Sequence, residues 1–155
     1  LTAVLPGHAA DADERLDQLL RLREVQDETG VLAAVVLAGP DRDEPADRPA
    51  DQSAGESPAG SLRTFAVARL LLDNVPHLAC DLAGHGPSLA QLAFNFGVDA
   101  LAGVPEGTGP EELTTLIWDA GFQPVERDED YRVVREYEPP APLARRRSEP
   151  QRVWA

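Results

Sequence analysis

Four side chains that could do chemistry stand within nine positions of one another in the stretch "HLACDLAGH": His77, the single cysteine Cys80, Asp81 and His85. The histidines and the cysteine have the spacing H-x2-C-x4-H, but a structural zinc ion needs four ligands and no CxxC or HxxxH pattern supplies more. On a strand, His77 and Cys80 have opposite parity and point to opposite faces. We therefore predict no metal site here. We also predict that Cys80 is a small core residue rather than a nucleophile.

Two of the three histidines lie just beyond predicted strands. The turn "GHGPSL" (84–89) joins a predicted strand to a predicted helix, so its free amides and the positive end of the helix could hold an anion; a plain turn with an exposed His85 is the alternative. His8 stands similarly after the strand 2–5. Sites of parallel α/β proteins form at the carboxyl ends of the strands. His8 and His85 are therefore the candidate catalytic residues, whereas His77 begins its strand and is expected to be structural.

The elements that must position these histidines alternate between short apolar strands and amphipathic helices. Glycine stands at nearly every predicted helix end, as at Gly30, Gly97 and Gly121, where a C-terminal cap belongs. Two further segments near the C-terminus, 122–128 and 131–137, have extended character. The predicted strands are 2–5, 31–37, 77–82 and 98–101, and the predicted helices are 11–30, 61–74, 87–96 and 110–120.

This alternation predicts an α/β fold of about four βα units with largely parallel strands and flanking helices. A closed eight-fold barrel needs roughly 250 residues, so 155 residues could build about half of a (β/α) TIM-type barrel. The alternative is an open doubly wound sheet, which fits the length better. We assign residues 1–137 to the α/β domain, with an acidic Pro/Ala/Gly-rich loop at 39–60. Residues 138–155 form a Pro/Arg-rich tail.

Composition limits the classes of partner. The formal net charge of −13 would repel a phosphate backbone, so we expect no nucleic acid. No apolar stretch is long enough to span a membrane and no secretory signal is visible, so we expect no membrane and a cytoplasmic protein. A single cysteine is compatible with a reducing compartment.

Three separated blocks, "RLDQLLRLREVQDETG", "FAVARLLLDNVPH" and "DAGFQPVERDEDYRVVREY", resemble the C-terminal half of aminodeoxyfutalosine synthase. That family consists of radical S-adenosylmethionine enzymes of the futalosine route to menaquinone. It is related to cyclic dehypoxanthine futalosine synthase and to coenzyme F420 precursor synthase. The resemblance runs from about Thr2 to Tyr137. It supports His8 and His85 as catalytic residues, and it implies a set of substrate-binding residues: Gly7, Arg69, Gly86 and Asp99.

The resemblance also implies cofactors that lie in the other half of the family's barrel. There, a CxxxCxxC motif holds a [4Fe–4S] cluster that cleaves S-adenosylmethionine to a 5′-deoxyadenosyl radical, which adds to an enolpyruvyl-benzoate substrate with loss of carbon dioxide. Because this chain has one cysteine, it holds no such cluster alone. It also departs from the family's pattern elsewhere. Asp81-Leu82 replace an aromatic pair, Ala100 and Ala102 replace acidic residues, and the segment that follows Gly103 in the family is absent.

Two functional hypotheses follow from the resemblance and the departures. In the first, the chain is the substrate-side half of a radical enzyme of menaquinone biosynthesis. It acts on a small-molecule substrate together with an N-terminal radical half, encoded upstream or as a separate chain. In the second, it is an inactive half-barrel remnant that serves as a protein-interaction or regulatory module. Either form would expose strand edges, so we expect it to pair with that partner or to self-associate.

Overall fold

The computed structural model describes residues 1–7, 12–39 and 57–138, and within them the chain is an α/β protein. The strands are β1 (Thr2–Leu5), β2 (Ala34–Leu37), β3 (His77–Asp81), β4 (Ala100–Ala102), β5 (Val125–Arg127) and β6 (Val133–Glu136). The helices are α1 (Ala12–Thr29), α2 (Pro58–Leu71), α3 (Leu82–His85), α4 (Pro87–Ala93) and α5 (Pro110–Asp119), with a 3-10 turn at Phe94–Phe96.

The first four strands form one parallel sheet in the order β1-β2-β3-β4. Strands that are consecutive in the chain are therefore neighbours in space. A doubly wound sheet has a point at which the strand order reverses. No such reversal occurs among the described strands. The short strands β5 and β6 form a separate antiparallel hairpin.

One face of the parallel sheet carries the core. In each strand, alternate residues join a single hydrophobic cluster, such as Leu5 of β1, Leu37 of β2 and Cys80 of β3. These three residues stand side by side in the strand register, so their side chains share a face. The same cluster includes Leu19 of α1 and Phe65 of α2, together with residues of α4, and partly buried residues of α5 pack against it. The helices therefore cover this face in a single layer.

The second face of the sheet carries small or short side chains that lie outside this cluster. Val4, Val36, Ala79 and Ala100 stand next to one another in the register on that face. Val4 is 64% exposed, although Ala79 is fully buried. Asp81 has the same parity as Ala79 and ends β3 on this face.

A buried glutamine ties α1 to the amino-terminal ends of two strands. The side-chain nitrogen of Gln26 donates to the carbonyls of Leu32 and Asn74, both at 3.1 Å. Its side-chain oxygen accepts from the Leu32 amide at 2.8 Å. Because three hydrogen bonds satisfy the amide group, its burial carries little penalty. The contact fixes the end of α1 against the segments that enter β2 and β3.

Most predicted elements are confirmed, with shifted boundaries. The second helix begins at Pro58 rather than at residue 61, because the Ser57 side chain accepts from the Gly60 amide as an N-cap. The second strand begins three residues later than predicted, at Ala34, and the short helix α3 was not predicted. His8, residues 40–56 of the acidic loop and residues 139–155 of the tail lie outside the described residues. None of the described helices has the length and apolar character needed to cross a bilayer.

Candidate functional site

The carboxyl ends of the four parallel strands meet through glycines. Gly7 follows β1, Gly39 follows β2, Gly84 lies after β3, and Gly103 follows β4. A Cβ atom on Gly39 would lie 2.6 Å from the Cα of Gly84, and a Cβ on Gly84 would lie 2.6 Å from the Cα of Gly39. A Cβ on Gly7 would collide with the backbone carbonyl of Gly39. These contacts are with backbone, which cannot move aside, so only glycine allows the strand ends to approach this closely. We call these four residues the glycine collar.

Asp81 holds the glycine collar together. Its Oδ2 atom accepts a hydrogen bond of 3.1 Å from the Gly39 amide. A Cβ on Gly84 would lie 2.5 Å from the same oxygen, and a Cβ on Gly103 would overlap the other one, Oδ1. The carboxylate is thus enclosed by the segments that follow β2, β3 and β4. Sequence reasoning did not place Asp81 in the site, although its parity, opposite to that of Cys80, and its position at a strand end carried that signal.

His85 lies beside the collar with its ring against the helix layer. The ring meets the Phe65 ring of α2 in an edge-to-face contact at 5.2 Å and hydrogen-bonds the Leu37 backbone. Its Nε2 atom is buried and has no hydrogen-bond partner among the described residues. Burial lowers the pKa of His85 from its ordinary value of 6.5, and the nearby Arg15 guanidinium lowers this pKa further; Asp81 and the Leu37 backbone act in the opposite direction. A neutral imidazole with a free nitrogen can accept a proton.

A small cavity adjoins His85. It has a volume of about 20 Å³, and its lining includes Gly7, Arg15, Thr64 and His85. That volume suffices for one water molecule, and the lining offers the polar partners such a water needs. Arg15 donates to the carbonyls of Pro6 at 2.6 Å and Gly7 at 3.1 Å, so α1 holds the end of β1 in place. Burial lowers the pKa of Arg15.

Gly86 separates α3 from α4 at the same end of the sheet. Its φ of 80° lies in the region that favours glycine, and its amide donates to the Leu82 carbonyl at 2.9 Å. A Cβ there would meet no atom within 4 Å, so the residue borders open space. The structure thus brings Gly7, His85 and Gly86 together. Their roles toward a substrate or an anion stay predictions.

Arg69 and Asp99 lie at the opposite end of the sheet. The Nη2 atom of Arg69 donates to the carbonyls of Leu72 at 2.6 Å and Val75 at 2.7 Å, in the segment that leads into β3. Asp99 stands just before β4, and its Oδ1 accepts from the Leu78 amide at 2.8 Å. The structure therefore does not bring these residues to the carboxyl ends of the strands. Their predicted contact with substrate is untested, but these contacts tie both residues to the amino-terminal ends.

His77 and Cys80 have the structural surroundings that the sequence predicted. The Nδ1 atom of His77 lies 2.6 Å from Oδ2 of Asp99, and its ring stacks on Tyr131 at 4.9 Å. Arg127 of the hairpin approaches both partners, at 3.2 Å from His77 and 3.6 Å from Asp99. Cys80 is fully buried, and burial, with a smaller effect of Asp81, raises the pKa of its thiol to about 12. Within residues 1–7, 12–39 and 57–138, no group of three His, Cys, Asp or Glu residues could hold a metal ion.

Curated relatives were found by sequence comparison, whereas no family model matches the chain. The chain is 37% identical over 172 residues to the aminodeoxyfutalosine synthase of Streptomyces coelicolor, which covers 97% of the chain and 44% of that protein. It is 38% identical to the aminodeoxyfutalosine synthase of Thermus thermophilus, over 85% of the chain and 40% of that protein. It is 26% identical to the cyclic dehypoxanthine futalosine synthase of Halalkalibacterium halodurans, over 85% of the chain and 38% of that protein.

Two facts about length follow from these alignments. The chain spans less than half the length of the curated relatives it matches. The Streptomyces alignment extends over 172 residues, more than the 155 residues of the chain, so that relative contains positions with no counterpart here.

Proposed function

We propose that this chain, a homologue of the aminodeoxyfutalosine synthases, supplies the substrate-side part of a (β/α) barrel in a radical S-adenosylmethionine enzyme of menaquinone biosynthesis. The homology rests on 37% and 38% identity over most of the chain. The remaining part of the barrel, which binds the cluster, comes from sequence outside this chain. The small-molecule substrate then lies against the carboxyl ends of β1 to β4.

The observation that carries the proposal is a sheet built like a segment of a barrel wall. Barrel strands follow one another in chain order, with helices outside and a second face inside. The described sheet has this order and a single helix layer. Strands β1 and β4 each have one described neighbour, so each leaves an edge for a further strand. A half-barrel that joins its other half through these edges explains both the strand order with its single helix layer and the two edges.

The residues of this chain have distinct parts in the proposed site. The glycine collar lets the strand ends pack against one another and against Asp81, because a Cβ on any of its glycines would meet these atoms. It thereby fixes the backbone at the end of the sheet where the substrate lies. Asp81 is a positioning residue, because it fixes the collar through the Gly39 amide. His85 is the candidate proton acceptor, since its buried Nε2 has no partner among the described residues and burial lowers the pKa of the ring, which favours its neutral form. His8 follows Gly7 directly and stays a second candidate.

The residues present do not fit an iron–sulfur cluster. Such a cluster is held by several cysteine thiolates, and the chain has one cysteine. That cysteine is fully buried on the helix-covered face, and burial raises its pKa to about 12, so the thiolate needed for ligation does not form there. In this proposal, the cluster and S-adenosylmethionine therefore belong to the other half.

A second candidate function is an interaction or regulatory module without catalysis. It is favoured by the second face of the sheet, where Ala34, Ala79, Ala100 and Ala102 offer a substrate no polar group. Near the carboxyl ends, Asp81 is the one charged residue among the described strand residues of that face. The glycine collar encloses its carboxylate. Such a face could dock a partner without performing chemistry.

Co-expression with the rest of a relative tests the proposal. The chain is produced with the portion of the Streptomyces coelicolor aminodeoxyfutalosine synthase that has no counterpart in it, and the pair is purified without oxygen. We expect a one-to-one complex that gains iron–sulfur absorbance and forms product from S-adenosylmethionine and the enolpyruvyl-benzoate substrate. A complex without product would support the module. Two separate proteins would refute the half-barrel.

Paired histidine variants test the role of His85 in that complex. His85→Gln should lower the turnover number, because it removes the proton acceptor at the carboxyl ends. His77→Gln is the matched control, since His77 lies at the amino-terminal ends, and it should leave turnover unchanged. Circular dichroism checks that both variants fold. Equal losses in the two variants would contradict the assignment of the site to the carboxyl ends.

A further inference from the structure

A large cavity lies between the β5–β6 hairpin, β4 and α5. Its volume is about 850 Å³, within the usual range for binding sites of roughly 300–1,000 Å³. Phe94 and Leu113 line it from the helices, and Ala100 lines it from β4. Tyr131 and Tyr137 line it from the hairpin side. The proposed function leaves this cavity unused.

The cavity combines an apolar and aromatic lining with negative charge. Four carboxylates line it, and Arg127 is the one described cation in its lining. Arg127 is already engaged by Asp99 and His77. The remaining carboxylates have no basic partner among the described residues of the lining. The four acidic residues are Asp99, Glu126, Asp128 and Glu129.

We propose that this cavity binds the chain's own C-terminal tail, residues 139–155. The tail begins two residues after Tyr137, which itself lines the cavity. It carries Arg145, Arg146, Arg147 and Arg152, and its last three residues are Val153, Trp154 and Ala155. Its cations match the acidic lining, and its apolar end matches the aromatic lining. This inference does not depend on the proposed catalytic function.

Arginine is the suitable cation for such a cavity. The chain has arginine and no lysine, and a guanidinium both pairs with carboxylates and stacks on aromatic rings. The hairpin already shows this contact, because the guanidinium of Arg135 lies 4.7 Å from the centre of the Tyr137 ring. The tail arginines can repeat it on Tyr131 or Tyr137.

The covalent link makes a weak interaction sufficient. A short covalent connection between two binding groups gives an effective concentration on the order of millimolar. A tail that would bind only at about millimolar concentration as a free peptide is therefore about half bound within the chain. The ion-pair part of the interaction weakens in salt, whereas burial of Trp154 does not depend on ionic strength in the same way.

Fluorescence of Trp154 tests the proposal in the full chain. The variant Trp118→Phe leaves Trp154 as the single tryptophan, and acrylamide quenching measures its exposure. We expect a quenching constant about twofold lower than that of the synthetic peptide 139–155, because about half of the tails are then bound and protected. Reversing Arg145, Arg146, Arg147 and Arg152 to glutamate should restore the value of the peptide. If the chain with its unchanged tail has the same quenching constant as the free peptide, the proposal is overturned.

Matched charge variants test the cavity itself. Glu126→Gln with Glu129→Gln should increase the quenching of Trp154. Glu24→Gln with Glu28→Gln changes the charge equally on the exposed side of α1 and should have no effect. Equal effects of the two pairs would overturn the proposed cavity. Protection that vanishes on dilution would also overturn it, because it would show a tail bound to a second copy.

Discussion

The contact between Asp81 and Gly103 allows a quantitative test of the glycine collar. Gly103→Ala would place a Cβ against the carboxylate of Asp81, overlapping Oδ1 and lying 3.0 Å from Cγ. It would also put a residue with a Cβ at φ +57°. The first effect depends on Asp81, whereas the second does not. The two contributions can therefore be separated by removing the Asp81 side chain.

The magnitude follows from two terms. An alanine in the left-handed region costs about 1.5 kcal/mol. The carboxylate can rotate away from the new Cβ only by giving up the Gly39 amide, and a hydrogen bond to an ionised, partly exposed acceptor contributes about 1.5 kcal/mol. Gly103→Ala should therefore lower the free energy of unfolding by about 3 kcal/mol in the unchanged chain, as the sum of these terms. When Asp81→Ala is already present, Gly103→Ala should lower the free energy of unfolding by only about 1.5 kcal/mol.

Urea unfolding of the two single variants and the double variant measures this difference as a coupling free energy of about 1.5 kcal/mol. Gly30→Ala is the matched control, because Gly30 has a similar φ of +60° and a Cβ there would meet no atom within 4 Å. Its cost should be the same with and without Asp81. A coupling between residues 81 and 103 no larger than that of the control would refute the packing of Asp81 against the collar.

Three further predictions concern single side chains. Cys80 should not react with thiol reagents at pH 8 until the chain is unfolded, since burial raises its pKa to about 12; rapid labelling of the folded chain would contradict its place in the core. Because the pKa of His85 is lowered in the folded state, the unfolded chain binds the extra proton, so stability should fall as the pH falls through 6.5. This dependence should be weaker in His85→Asn, as measured by urea unfolding at several pH values, and an unchanged dependence would be evidence against the buried neutral ring. Arg69→Ala should lower the free energy of unfolding by about 2 kcal/mol, because the carbonyls of Leu72 and Val75 each lose a charged donor; a loss below about 0.5 kcal/mol, the usual range for surface changes, would show that these bonds do not support the turn.

The alternation of elements could be read from the sequence because local signals specify it. Proline at the first turn and glycine after the last turn mark α4 and α5, and continuous apolar runs mark β2 and β3. The start of α2 was misplaced because Ser57 and Pro58 stand inside an acidic Pro-rich stretch whose composition conceals the cap. The helix α3 was missed because four residues carry no periodicity.

The site was harder to predict, since its members meet only through the fold. Gly7, His85 and Gly86 were placed correctly at one end of the sheet, because they follow strands of known direction. Arg69 and Asp99 lie at the other end of the sheet. Their position depends on the direction of α2, which carries Arg69, and on the residue at which β4 begins, just after Asp99. Asp81 was overlooked as a site residue because its role depends on close backbone approaches that no local pattern reveals.

Hydrogen exchange on the outer edge of β1 tests most directly whether the chain is one part of a barrel. Strand β1 has β2 as its described neighbour, and its Val4 side chain is 64% exposed. In the chain alone, the outward amides of Thr2–Leu5 should exchange rapidly. Adding the cluster-bearing portion of the Streptomyces relative should slow these amides, as pairing with a further strand requires. Amides that are already protected in the isolated chain, and unchanged by that partner, would contradict the half-barrel.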